Sequence, residues 1–425
     1  MRPASAAAAD TGVNRAALLA DLEEYAALTE PGPGVTRVAY TSLERRAHAV
    51  FAERMRRLGL RVHTDVVGNT IAELPATDGV DRPAVGTGSH LDSVPSGGAY
   101  DGTFGVVAAA EVARVVVESG VARRRPWRFV AFAAEEGARF GSACNGSKLV
   151  AGVAERSDLD RWHDVDGVTM AQAMAGVGLQ PDLLEHARWR PERWHAFVEL
   201  HIEQGPVLND VGATIGIVDR ISGSSRAEVV LRGTAAHTGA TPMHLRADAL
   251  TAAAACVLAA ESLATDTRHR GTRASVGRLD VLPGSMTTIP GEVTFSLDVR
   301  DIDGARQRAT INELLARFAD IASERGVAIE HELLADAPPV SLPQTMTSVV
   351  ERAVADLGHP ATLLESGASH DVQMVNTITP SAMIFVPSRD GVSHVPHEWT
   401  EPAHLQAGTE TLLHTMRLLD AEEDR

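Results

Sequence analysis

The chain has 425 residues, enough for two or three domains and a large apolar core without disulfide or metal staples. Hydrophobic residues make up 44% and charged residues 22%, an ordinary globular composition. Its 39 basic and 56 acidic residues give a formal charge of −17, which argues against nucleic acid or an anionic membrane surface as partner, because both need basic protein surface.

In chain order, the Ala-rich start over 1–10 reads as a frayed or helical terminus without the leucine-type core of a signal peptide. Apolar spacing predicts helices over 15–28 and 42–58, the second capped by Ser42 without a box partner because Arg45 follows three residues later. Residues 62–74 alternate as strands do, 83–90 reads as a short buried strand ending in His90, and 103–120 as an apolar helix closed by Gly120. Two more apolar strands follow, 126–137 ending in Glu135 and Glu136, and 194–205 ending past His201. Strands separated by helices predict an α/β fold with a mixed, mostly parallel sheet flanked by helices, and such sheets build their sites just past strand C-termini.

The middle changes character. A strand at 226–233, a helix at 244–264, strands at 274–282 and 292–300, a helix at 303–326 and a strand at 327–334 follow the β-α-β-β-α-β order of a ferredoxin-like sandwich. The chain then returns to a helix at 344–358, a strand at 382–386 and a helix at 402–419. The expected division is a catalytic domain split over 1–221 and 336–425, with an inserted lid or dimerisation domain over 222–335. Two cysteines make no disulfide framework and no apolar run is long enough to span a bilayer, so a cytoplasmic location is expected.

Four segments set histidine or paired acids at strand ends: GSHLDSVPSGGAYDGTFG, FAAEEGARFG, VELHIEQGPVL and GVSHVPHEWT. Imidazole and carboxylate suit zinc, manganese, cobalt or nickel. One ion needs three or four protein ligands, and two ions need a bridging carboxylate; His90, Asp101, Glu136, His201 and His394 supply five donors with an acid to bridge. Asp92 lies two residues past His90 and projects from the same side of an extended chain, where it can hold the imidazole's other N–H or simply form the turn before Pro95. Asp101 precedes an apolar helix, so a capping role competes with ligation. Of the adjacent Glu135 and Glu136, one can ligate while the other activates water; the alternative is a solvated strand end.

Taken together, GxHLD, GGxYDG, EEGxRF, HIEQGPVL, AHxGxTPM, IPGxVxFxLDxR and SHxPxE resemble the amidase/hydantoinase/carbamoylase branch of the aminoacylase–carboxypeptidase superfamily of dinuclear metallohydrolases. The resemblance spans His90 to His397. It implies His90 and His201 on one metal, Glu136 and His394 on the other, and Asp101 bridging, with His394 preferred over the neighbouring His397. It further implies Glu135 as general base, Asp92 as orienting acid, Gln204 and Arg300 as substrate-binding residues, and His237 as an oxyanion stabiliser reaching the site of a partner subunit. Two positions depart from the pattern. Thr287 stands before IPG where the family has Asn, and Ser369 replaces Gly in SGASHD, whose His370 is expected to line the site.

The resemblance therefore implies a homodimeric amidohydrolase with two divalent ions per subunit, cleaving the ureido or N-carbamoyl C–N bond of an N-carbamoyl amino acid, allantoate or β-ureidopropionate. The rival readings are an aminoacylase or dipeptidase of the same superfamily and an inactive binding protein on the same scaffold. A Ser/His hydrolase using Ser89 or Ser393 lacks a G-x-S-x-G elbow.

Overall fold

The computed structural model describes residues 11–423, so the reading of 1–10 as a frayed or helical end lies outside the described residues. The described chain forms two compact units, one running up to Asp219 and again from Ser341 onward, the other Arg220–Val340.

The first unit is built on a mixed sheet in the order Arg61–Thr64, Thr70–Leu74, Trp127–Phe132, Ala84–His90, Trp194–Ile202, Ser381–Val386 and Ile215–Ile221. The four central strands from Trp127–Phe132 to Ser381–Val386 are parallel, and the flanking pairs are antiparallel. Strand Ala84–His90 and strand Ser381–Val386 are buried at every residue. That is why they read as continuous rather than alternating apolar runs: helices cover both faces of a parallel core. Helix Thr103–Ser119 packs on strands Ala84–His90, Trp127–Phe132 and Trp194–Ile202 and also touches helices Arg15–Ala26 and Pro402–Ala421. Its C-terminus is closed by Gly120 in the left-handed conformation.

Several boundaries differ from the sequence reading for local reasons. The helix predicted from 42 is capped by Thr41, whose side chain accepts from the Glu44 N–H. Glu44 does not close a box; its carboxylate takes the amides of Tyr40 and Ala134 instead. Strand Trp127–Phe132 stops before the paired acids, and Ala134 adopts φ 55°, so Glu135 and Glu136 sit on a turn beyond the strand.

The second unit is an antiparallel sheet ordered Leu279–Leu282, Glu292–Asp301, Gly223–Arg232, Ala328–Ala337, with Arg273–Ser275 also pairing Glu292–Asp301. Residues 274–282 are thus two short strands, not one. Helices Ala249–Ala264 and Gly304–Glu324 cover one face. The first begins later than predicted because Asp248 is its cap and Met243–Leu245 forms a separate 3-10 turn. Alternate residues of the two long central strands, among them Val229, Leu231, Phe295 and Leu297, point into the apolar layer with Leu314 and Phe318. Among the described residues, no helix is long and apolar enough to cross a membrane.

Candidate metal centre

Parallel pairing sets the carboxyl ends of the central strands side by side. His90 is in register with Phe132, and His201 with Phe385. An open α/β sheet presents ligands at this end, and the chain has placed imidazoles there. The His90 and His201 rings stack with centroids 5.8 Å apart.

Between the two histidines runs the turn carrying Asp101. Its Oδ1 lies 3.1 Å from His201 Nε2 and 3.6 Å from His90 Nε2, while Oδ2 lies 3.1 Å from His394 Nε2. His394 Nε2 is in turn 3.5 Å from Glu136 Oε1. Two donor groups result, His90–Asp101–His201 and Asp101–Glu136–His394, each with its atoms within 4.8 Å of one another. Asp101 belongs to both. Gly102 lets the turn pass: it holds φ 59°, and a Cβ there would meet the His90 ring at 2.3 Å.

The hydrogen-bond network fixes which imidazole nitrogen faces inward. His90 Nδ1 lies 3.1 Å from the Asp92 backbone carbonyl and His201 Nδ1 lies 2.8 Å from the Ile202 carbonyl. Donation at Nδ1 turns each Nε2 inward as the acceptor nitrogen, and at His201 that nitrogen takes the Gly102 N–H at 3.0 Å. The carboxylate of Asp92 is 3.6 Å from His90 Nδ1. Its closer task is to accept the successive N–H groups of Glu135 and Glu136, both at 2.9 Å. The imidazole is thus steered by the carbonyl of Asp92, and the turn bearing the two acids is steered by its carboxylate.

Electrostatics follow from this crowding. Burial, with the charges of Asp101 and Glu135, pushes Glu136 well above the ordinary carboxyl range. Burial also raises Glu135, with His90 opposing and Asp92 and Asp101 adding to the rise. At Asp101 burial works against the charge, but the imidazoles of His201, His394 and His90 around it outweigh that and hold the carboxyl well below its usual range. The hydrogen bond that Asp101 accepts is the main reason His394 is lifted to about 9. Buried acids crowded around one point are relieved by a cation, and the donors are the nitrogen and oxygen types that zinc, manganese or cobalt accept. The residues therefore fit divalent metal.

Glu135 stands beside the centre without belonging to either donor group. Its Oε2 is 3.9 Å from His90 Nε2, and its Oε1 accepts from the Cys144 thiol at 3.1 Å. Gln204, with φ 59°, donates from Nε2 to Asp101 Oδ2 at 2.7 Å, and its buried Oε1 has no hydrogen-bond partner among the described residues. His370 is buried edge-on to His201 at 4.6 Å and pairs with Ser366, so its contacts are to a donor rather than to open space.

The remaining candidates lie in the second unit. His237 is exposed, on a two-residue strand pairing Thr288–Ile289; its Nδ1 accepts the N–H groups of Gly239 and Ala240 at 3.1 and 3.2 Å. In the neutral ring this places the proton on Nε2, a donor directed away from its own turn. Thr287 is exposed and its carbonyl accepts from Thr238. Arg300 pairs through Nε with Asp298 at 3.1 Å, while Asp301 binds Arg306 and Asp303 caps a helix. One well-connected residue has no role in the sequence reading: Glu398, four residues past His394, accepts the amides of Tyr100 and Asp101. The only signal for it was the last letter of SHxPxE.

A parallel-centred α/β sheet with imidazoles and buried acids converging at its carboxyl end defines a metal-dependent hydrolase. The family model for peptidase family M20/M25/M40 matches residues 59–418, and the chain belongs to that family, whose members hydrolyse C–N bonds with metal. It is 40% identical over 400 residues to an N-carbamoyl-L-amino-acid amidohydrolase of Paenarthrobacter aurescens, covering 94% of this chain and 97% of that protein. It is 41% identical over 388 residues to an N-carbamoyl-L-amino acid amidohydrolase of Geobacillus stearothermophilus, covering 91% and 94%. A crystal structure of a hydantoinase/carbamoylase family amidase from Burkholderia multivorans superposes with a TM-score of 0.84 at 33% identity, covering 96% of this chain and 98% of that one.

Proposed function

We propose that this protein hydrolyses the ureido or N-carbamoyl group of a small carboxylate substrate such as an N-carbamoyl amino acid, yielding amine, CO2 and ammonia. The observation that carries the reading is Asp101, one carboxylate shared by two donor groups, with the Glu135 carboxyl beside one of them. The names of the amidohydrolase relatives support the substrate class.

His90, Asp101 and His201 would hold one divalent ion, and Asp101, Glu136 and His394 a second; when bound, these supply Lewis acidity and lower the pKa of a water. Glu135 is the proton shuttle: through its Oε2 it accepts a proton from the attacking water and passes it to the leaving nitrogen; burial, which raises this carboxyl, suits the task. His237 donates Nε2–H to the developing oxyanion, its tautomer set by the two amides at Nδ1. Arg300 grips the substrate carboxylate and Gln204 offers its Oε1 to substrate N–H, while His370 acts by bracing His201. The active unit is a cytoplasmic homodimer in which the Arg220–Val340 unit works as a lid and supplies His237 to the partner's site.

The test is ammonia release from N-carbamoyl amino acids, allantoate, ureidoglycolate-type acids and β-ureidopropionate, before and after chelation and after reloading with zinc, manganese or cobalt. At least one ureido acid should be turned over, lost with chelator and restored by metal. Cleavage of dipeptides or N-acyl amino acids alone would move the protein to the aminoacylase side of the family.

A further inference from the structure

His394 is the only donor of the centre that is exposed, and it lies outside any helix or strand with φ 60°. Nothing in regular secondary structure fixes it. Four residues later Glu398 is 4% exposed, and its contacts reach across the fold. Oε1 accepts the Tyr100 N–H at 3.0 Å and the Asp101 N–H at 3.1 Å; Oε2 accepts the Ser393 hydroxyl at 2.5 Å. One carboxylate thus ties the loop bearing His394 to the turn bearing Asp101, 297 residues earlier in the chain. The turn is shaped to receive it: a Cβ on Gly98 would lie 2.0 Å from Glu398 Oε1, so only glycine lets the backbone close over the carboxylate.

Ser393 stands between two acids. Its Oγ lies 3.1 Å from Asp101 Oδ2 as well as 2.5 Å from Glu398 Oε2. One hydroxyl carries one proton, and the nearer acceptor is Glu398. Glu398 thereby competes for that proton with Asp101 Oδ2, the oxygen that faces His394.

We infer that Glu398, acting with Ser393, is a positioning pair that sets the Asp101–Glu136–His394 group and so governs the affinity of one of two ions. This rests on the two-ion reading above. Partners that orient ligands without touching the metal are typically worth 10–100-fold in metal affinity. Glu398→Gln keeps the shape and an acceptor for the two amides but removes the oxygen that receives the Ser393 hydroxyl.

The experiment is calorimetric titration of metal-free protein with Co2+, with thermal unfolding of each metal-free form alongside. Wild type should take two ions per subunit. Glu398→Gln should weaken one binding step about 10–100-fold and leave the other within about threefold, with the metal-free melting temperature near wild type. Ser393→Ala, which removes only the hydroxyl, should weaken the same step by less, and it carries the test alone if Glu398→Gln does not fold. If wild type binds two ions and both variants match it, or lose both steps equally, the inference is overturned while the two-ion reading stands. If wild type binds fewer than two ions, both fall.

Discussion

The two units hold most of their candidate site residues differently. In the first, His90, Asp92, Asp101, Glu135, Glu136 and His201 are all buried and tied to one another or to backbone amides. In the second, His237 and Thr287 are exposed, and each is held by a local turn rather than by a core. The lesson is that the candidate metal donors and Glu135 are set by contacts within one unit, whereas two of the groups proposed to touch the substrate, His237 and Arg300, belong to the other.

Predictions can break that contrast. Glu135→Gln should lower kcat by about 10²–10⁴-fold with metal content unchanged, measured by ammonia release beside elemental analysis. Near-normal turnover would remove Glu135 from the chemistry. His237→Ala should cost about 10²–10³-fold in kcat while leaving metal binding and melting temperature alone. A sharper version mixes the two inert chains: co-expressed Glu135→Gln and His237→Ala subunits should regain activity if the histidine serves the partner's site. Failure to complement, with mixed dimers demonstrated, would return His237 to its own subunit or to no role.

Asp92→Asn should cost about 10–100-fold in metal affinity or activity, because one half of the amide can no longer accept the Glu135 or Glu136 N–H. Dialysis against a metal buffer would read it, and unchanged affinity together with unchanged kcat would show that the clamp on the acid turn is dispensable. Thr287→Asn should have the smallest effect on rate and appear as a shift in preference among ureido acids of about 10-fold, the scale of a single changed side-chain contact. An identical substrate profile would mean that position 287 does not meet the substrate.

Much of the fold was legible because buried parallel strands are short, largely apolar runs with a polar residue at or next to their end, as at His90 and His201. The alternation in Glu292–Asp301 was equally plain, since one face is covered by helices and the other is not. Less legible were features decided by distant partners. Thr41 rather than Ser42 caps its helix, while the acid three residues on answers to Tyr40 and Ala134. Strand Ile215–Ile221 draws its place from antiparallel pairing with Ser381–Val386, more than 160 residues away, which no local pattern announces. In the site, donor types were readable from their segments, but the division of labour within Asp92 was not: whether a carbonyl or a carboxylate meets an imidazole is settled only by backbone geometry. Glu398 escaped for the same reason, because its partners lie at the other end of the chain.

The sharing of Asp101 also spans a gap in sequence. The residues of His90–Asp101–His201 all precede the Arg220–Val340 unit, whereas Asp101–Glu136–His394 draws its last donor from beyond it. A chain cut short before that unit carries every donor of the first group and lacks one donor of the second, and the strand that bears His201 also lacks its parallel neighbour Ser381–Val386.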